Sequence, residues 1–207
     1  MCGIAGILSP RPADVDATVI RRMIAPQRHR GPDAEGQHAD GSVRLGHRRL
    51  AIIDLSEHSR QPMLDAASGI ALVFNGTIYN YPELRVELIA RGHVFHSDGD
   101  TEVILRAFLE WGEACVERLH GMFAFAIWNR ETLFLARDRL GIKPLYYSEN
   151  LGCFRFASTP QALQAAGGVD NGIDAVALHH LFTLHAVVPA PRTIFNGVRK
   201  LAPGTTM

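Results

Sequence analysis

Cysteine is scarce in this sequence: three in 207 residues, at Cys2, Cys115 and Cys153. Their spacing matches neither a zinc knuckle nor the disulfide framework of a small secreted domain. Net charge is absent too, because 21 Lys+Arg balance 21 Asp+Glu. Without an excess of one sign there is no global electrostatic case for nucleic acid or an anionic membrane. No apolar run approaches the ~20 residues of a membrane span. The short run Ile4 to Leu8 lacks a basic segment before it and is closed early by Pro10-Arg11-Pro12, so it does not read as a signal peptide. The ten His are scattered, and His179-His180 are adjacent rather than spaced along a helix face, so no metal site is expected. Together these absences lead to the expectation of a soluble cytoplasmic protein in a reducing compartment. What is present is apolar content, 47% of the residues, which excludes wholesale disorder. A chain of this size buries roughly 70% of its unfolded surface and needs no staple to fold.

Strands and helices come in separate runs. Cys2 to Leu8 reads as a buried strand. Asp14 or Asp16 caps a helix to about Ala25 with Val15, Val19, Ile20, Met23 and Ile24 as its stripe, and Pro26 stops it. A polar loop from Gln27 to Gly36 follows. Val43 to His47, Leu50 to Asp54 and Ile70 to Asn75 read as strands. Pro82 opens a helix to about Arg91, and Asp100 or Thr101 caps another through Trp111. Met122 to Trp128, Thr132 to Ala136, Leu145 to Tyr147 and Phe154 to Ala157 return to strands, and Asp174 caps a last helix. This order predicts an α+β fold with largely antiparallel sheet. Phe123 to Trp128 is apolar at every position, as in a sheet covered on both sides. Residues 1–187 read as one domain, and 188–207 as a connection toward a domain outside this sequence.

Cys2 has a property that no internal cysteine shares. Once Met1 is removed, the thiol and a free α-amine belong to one residue. An α-amine with a pKa of ~7.7–8 is partly neutral near pH 7. It can take the thiol proton and later return it to a leaving amine. A retained Met1 would abolish this. By position alone, an inert buried Cys in a terminal strand is the better reading.

The surrounding motifs change that weighting. Met1-Cys2-Gly3-Ile4-Ala5-Gly6 resembles the start of the class II glutamine amidotransferases, a branch of the N-terminal-nucleophile hydrolases. The likeness continues through Arg30-Gly31-Pro32-Asp33, Arg48-Arg49-Leu50-Ala51-Ile52-Ile53-Asp54, Gln61-Pro62-Met63 and Phe74-Asn75-Gly76. It runs on through Asp100-Thr101-Glu102, Gly121-Met122-Phe123 and Arg137-Asp138-Arg139-Leu140-Gly141-Ile142-Lys143-Pro144. Within that group it looks most like the glutaminase domain of glutamine-hydrolysing asparagine synthetase. The resemblance implies a four-layer αββα sandwich of two antiparallel sheets flanked by helices. It also implies a thioester mechanism at Cys2 that releases ammonia and glutamate from L-glutamine.

The same resemblance distributes roles. The Asn75 amide and the Gly76 N–H form the oxyanion hole, where losing one donor costs ~3–4 kcal/mol; out of context Asn-Gly is an ordinary tight turn. Arg49 clamps the substrate carboxylate, with backbone groups of Ile52 and Ile53 beside it. Neighbouring strand side chains face opposite ways, so only one of Arg48 and Arg49 can reach a pocket. Asp100 holds the substrate ammonium, and its structural role would be a helix cap. Thr77 departs from the pattern, which has Glu there. Losing a hydrogen bond to a charged group, ~1.5–3 kcal/mol, would weaken glutamine binding roughly ten- to a hundred-fold. Arg30 to Asp33 are expected over the pocket, and Asp138 is expected to pair with an Arg.

Ammonia would pass to a synthetase domain. That domain's Ser-Gly-Gly phosphate motif does not occur here, so ATP and Mg are expected only there, and no cofactor in this domain. A homodimer and the nitrogen acceptor are left open. The competing reading is a glutamine-binding or regulatory module with catalysis weakened at Thr77. A Cys–His hydrolase fits less well, because Cys2 sits at no strand–turn–helix elbow.

Overall fold

The computed structural model describes residues 1–11, 16–150 and 152–207. A six-stranded sheet has the order β10-β8-β9-β1-β3-β2, and a four-stranded sheet the order β4-β5-β6-β7. The first contains β1 (Gly3–Leu8), β2 (Ala34–Asp40), β3 (Val43–Arg49), β8 (Tyr146–Asn150), β9 (Cys153–Ala157) and β10 (Arg199–Lys200). The second contains β4 (Met63–Asp65), β5 (Ile70–Ile78), β6 (Gly121–Trp128) and β7 (Leu133–Arg137). Every ladder is antiparallel. The helices are α1 (Ala17–Ile24), α2 (Tyr81–Ala90), α3 (Asp100–Trp111), α4 (Cys115–Arg118), α5 (Pro160–Ala166) and α6 (Ala175–Thr183).

Three apolar clusters define the layers. Ala5, Ala157, Ile20, Met23, Ile24 and Leu163 join the outer face of the six-stranded sheet to α1 and α5. Ile4, Leu45, Ala71, Val73, Ala124, Ala126 and Phe156 fill the space between the sheets. Leu72, Phe74, Phe123, Phe125, Leu88 and Ile104 join the four-stranded sheet to α2 and α3. This is the four-layer αββα sandwich that the resemblance implies. The two-sided apolarity of β6 follows: Phe123, Phe125 and Ile127 face helices, while Ala124, Ala126 and Trp128 face the other sheet.

Side-chain alternation then decides what enters the inter-sheet space. On β1 the parity of Ile4 places Cys2 on the inner face. On β3 the parity of Val43 and Leu45 continues through His47 to Arg49. On β5 the parity of Ala71 and Val73 continues through Asn75 to Thr77. Cys2, Arg49, Asn75 and Thr77 meet at one end of the gap.

Several local expectations are corrected. Leu50 to Asp54 is a loop, because no strand faces it. Its backbone instead meets side chains: Leu50 N–H points at Cys2 Sγ (3.4 Å) and Ala51 N–H donates to Asp33 Oδ2 (2.8 Å). The polar run from Ala34 becomes the edge strand β2, paired only with β3. α5, capped by Thr159 on Ala162 N–H, was not anticipated. Asp16 caps α1, with Thr18 N–H donating to Oδ1 at 3.2 Å; Asp14 and Val15 lie outside the described residues. Among the described residues Asp138 forms no ion pair with an Arg. Its carboxylate accepts the backbone N–H groups of Phe123, Leu140, Ile142 and Lys143 at 2.9–3.2 Å. Apart from these corrections, residues 188–207 pack on the body: Val188, Val198 and Leu201 are buried, and Met207 exchanges backbone hydrogen bonds with Leu135 on β7.

Candidate active site

A cavity of about 210 Å³ opens where the four inward side chains converge. Its lining includes Cys2, Arg49, Ile52, Ile53, Asn75, Gly76, Thr77 and Asp100, so every residue assigned from the sequence borders one space. Arg48 does not. Its parity turns it toward α1, where Nε donates to Ile24 O and the guanidinium pairs with Glu35.

Cys2 lies at the mouth of the sheet gap, with Sγ 3.7 Å from Leu50 O and 3.4 Å from Leu50 N. Burial pushes its thiol pKa up. The Leu50 N–H, the chain-terminal amine and Arg49 pull it back. Gly3 beside it leaves room for Gln27, whose Cβ would lie 2.9 Å from a Cβ at this position. Gln27, buried, donates from Nε2 to Ile4 O and Met23 O and so anchors the start of β1 to α1. Arg30 does not cover the pocket. Its Nε donates to the Cys2 carbonyl at 3.0 Å, holding the nucleophile's own backbone. Gly31 packs against the Arg48 and Arg49 backbone, where a Cβ would lie 2.3 Å from Arg48 O. Gly31 and Asp33 therefore buttress the end of β3 from outside the cavity, Asp33 N–H donating to Arg49 O.

Asn75 is the most informative side chain. It is 1% exposed, and neither its Nδ2 nor its Oδ1 has a hydrogen-bond partner. A buried amide normally satisfies both atoms, so this one is placed for something that enters the cavity. Gly76 follows. On β5, Phe74 N–H donates to Gln61 Oε1 (2.6 Å) and Ile78 N–H to Asp100 Oδ2 (3.0 Å). Gly76 N–H shares their direction along the strand. It has no ladder partner on β6, because Phe123 opposite it turns its N–H and C=O to Asp138. A Cβ at Gly76 would lie 2.3 Å from Met122 O, so only glycine fits.

Arg49 donates from Nη1 to Ser56 O (2.9 Å) and from Nη2 to Asp54 O. It thereby organises the loop that bears Ile52 and Ile53, and among the described residues no partner takes its remaining guanidinium donors. Asp54 in turn accepts Ser56 N–H, Ser59 Oγ–H and Asp98 N–H, tying this loop to the approach of α3. Asp100 is the first residue of α3 rather than its cap, which is Gly99. Burial raises its carboxyl pKa to about 6, against the opposing N–H groups of Ile78, Asp100 and Thr101. Behind the site His47 is fully buried, its Nε2 3.1 Å from Phe74 O. Burial lowers its pKa to about 3, so it stays neutral and donates from Nε2 to that carbonyl.

The sequence reading missed Gln61, which sets β5 just before Asn75, and Lys143, which lines the cavity beside Cys2. Both stood within the resembling motifs, but residue type alone carries no such role. Met1 precedes Cys2 in the structure and borders the cavity at 56% exposure.

The chain matches the family described as "Glutamine amidotransferase domain" over residues 1–207. It belongs to that family. Among curated relatives, a putative glutamine-hydrolysing asparagine synthetase of Mycobacterium bovis is 43% identical over 226 residues, covering 99% of this chain and 34% of the relative. Glutamine-hydrolysing asparagine synthetase 3 of Bacillus subtilis is 38% identical over 208 residues, covering 98% and 34%. The chain thus spans about a third of the length of these relatives. The fold is shared with the glutamine phosphoribosylpyrophosphate amidotransferase of B. subtilis, at a TM-score of 0.69 and 22% identity over 80% of this chain and 44% of that one. An allosteric regulatory enzyme of purine biosynthesis gives 0.74 at 19% identity over 99% and 46%. Among the described residues of this amidotransferase domain, no helix is long and apolar enough to cross a membrane.

Proposed function

We propose that this domain hydrolyses the side-chain amide of L-glutamine, with Cys2 as nucleophile after removal of Met1. The observation that carries the reading is the unpartnered, 1% exposed Asn75 amide in the same cavity as the Cys2 thiol. Arg49 receives the α-carboxylate and Asp100 the α-ammonium. Ile52 and Ile53, 70% and 37% exposed, close the outer side through their backbone. The Cys2 thiol passes its proton to its own α-amine, directly or through one water. The sulfur then attacks the amide carbon, and the carbonyl oxygen becomes an oxyanion held by Asn75 Nδ2–H and Gly76 N–H. As the C–N bond breaks, the Cys2 α-ammonium gives the proton to the departing nitrogen. Water hydrolyses the thioester to glutamate, with the α-amine as base. Arg30 keeps the Cys2 carbonyl fixed throughout.

The ammonia is delivered to an ATP-dependent, Mg-requiring synthetase domain that amidates a carboxylate. The names of the asparagine synthetase relatives support aspartate as acceptor. A reactive thiol beside two other free cysteines suits the reducing cytoplasm.

Protein shown by intact mass to begin at Cys2 is incubated with glutamine. It should release glutamate and ammonia in equal amounts, and both Cys2→Ala and protein retaining Met1 should release neither. A correctly processed sample that yields no glutamate at saturating glutamine would overturn the assignment.

A further inference from the structure

Along β5 the rungs beyond β4 are taken by side chains. β4 pairs with β5 only as far as Met63, opposite Leu72. Two residues further on, the same register would set Gln61 opposite Phe74. By then the backbone has left the ladder: the Gln61 carbonyl lies against Gly36, where a Cβ would come within 2.0 Å of it. The Gln61 side chain reaches back instead. Its Oε1 accepts the Phe74 N–H (2.6 Å), and its Nε2 donates to Thr101 Oγ1 (3.3 Å). Gln61 and Thr101 are both buried, and both border the cavity.

Three alternate N–H groups face this edge of β5. That of Phe74 goes to Gln61, and that of Ile78 goes to Asp100 Oδ2 (3.0 Å). Among the described residues the Gly76 N–H between them has no such side-chain partner. The two holders are themselves joined, because Thr101 follows Asp100 in the first turn of α3. Without the Gln61 amide the Phe74 N–H becomes a buried donor with no partner, which is unfavourable and is relieved by a shift of the strand toward another acceptor or water. That shift falls on the residue just before Asn75. Oxyanion donors act only when they already stand at hydrogen-bond distance from the place the oxygen will occupy. A small displacement here is therefore felt in the transition state more than in the bound substrate.

We propose that Gln61 is a positioning residue for the oxyanion hole. It holds the open edge of β5 against α3, so that Asn75 Nδ2–H and Gly76 N–H converge on one oxygen. The inference rests on the proposed hydrolysis of glutamine at Cys2, and it gives Gln61 no chemical step of its own.

The test compares processed wild-type protein with Gln61→Met, Gln61→Glu and Thr101→Val. The quantities read are kcat and KM for glutamine and the inhibition constant of L-glutamate, which needs the α-group contacts but forms no oxyanion. Each protein is assayed well below its own Tm. Q61M should lower kcat about tenfold or more and leave KM and the glutamate constant within about twofold, the pattern of an interaction made only in the transition state. Q61E keeps an oxygen for the Phe74 N–H and should recover most of kcat. T101V keeps its size, removes only the far tether, and should lower kcat by a smaller factor at unchanged KM. An unchanged kcat in Q61M, or in T101V where Q61M does not fold, would overturn the inference, as would a Q61E protein as slow as Q61M. Losses shared equally by kcat and glutamate binding would also overturn it, since Gln61 would then hold the whole cavity rather than the oxyanion edge. A wild-type protein inert to glutamine would remove the proposed function and the inference together.

Discussion

Asp100→Asn separates what the site does for substrate from what it costs the fold. In the wild type, burial raises the Asp100 pKa from 3.8 to about 6. At 1.36 kcal/mol per pK unit this amounts to about 3 kcal/mol of strain in the ionised, folded state. The native state binds more protons than the unfolded state between pH 3.8 and about 6. Stability therefore falls as pH rises through that window and stays low above it. Asn has no charge to desolvate, and its Oδ1 can still accept Ile78 N–H. Allowing for imperfect replacement, D100N should be more stable at pH 7 by about 2 kcal/mol, or roughly 4–8 °C in Tm for a domain of this size. The gain should shrink to nothing by about pH 4. Glutamine binding should move the other way, because a hydrogen bond to a charged group is worth ~1.5–3 kcal/mol. KM should rise roughly ten- to a hundred-fold at pH 7. Wild-type KM should itself rise below pH 6, as the carboxylate protonates. Thermal unfolding of both proteins from pH 4 to 8, with steady-state kinetics, measures all of this. A D100N protein less stable than wild type at pH 7, or one with unchanged KM, refutes the reasoning.

Two further substitutions probe the other walls of the cavity. Asn75→Ala should lower kcat by about 10²–10³ without lowering Tm, because it removes a buried amide whose two polar atoms are already unpartnered; a drop in Tm would show an unrecognised structural role. Thr77→Glu adds a carboxylate on the inner face of β5 beside Asp100 and should lower KM for glutamine by roughly tenfold or more; an unchanged KM would remove Thr77 from the ammonium pocket.

Much of this site was legible because it depends on local rules. That Cys2 would carry the free α-amine once Met1 is removed can be read from the order of the first two residues. Alternation along a strand lets only one of Arg48 and Arg49 face a pocket, the choice of Arg49 resting on the resemblance, and the continuous apolarity of Phe123 to Trp128 already calls for a sheet covered on both faces. Capping by Asp174 was readable for the same reason, since it involves a residue's own neighbours. Edge strand β2 was not readable: its polar sequence shows neither strong strand propensity nor a two-sided apolar pattern, and only pairing with β3 makes it a strand. The reverse holds for Leu50 to Asp54, apolar enough for a strand but lacking a neighbour to complete a ladder.

What the amino-acid order determined by itself was a thiol one residue from the start of the chain, the α+β class, and the run of motifs that carries the resemblance to the amidotransferases. Tertiary structure alone decided which groups remain unpaired where they meet. The freedom of the Gly76 N–H depends on Phe123 being turned to Asp138 from the far side of β6. The raised pKa of Asp100 depends on burial between α3 and the end of β5. Each is a through-space balance of desolvation and hydrogen bonding among segments far apart in the chain, and the strength of such a balance does not exist until the sheets close on one another.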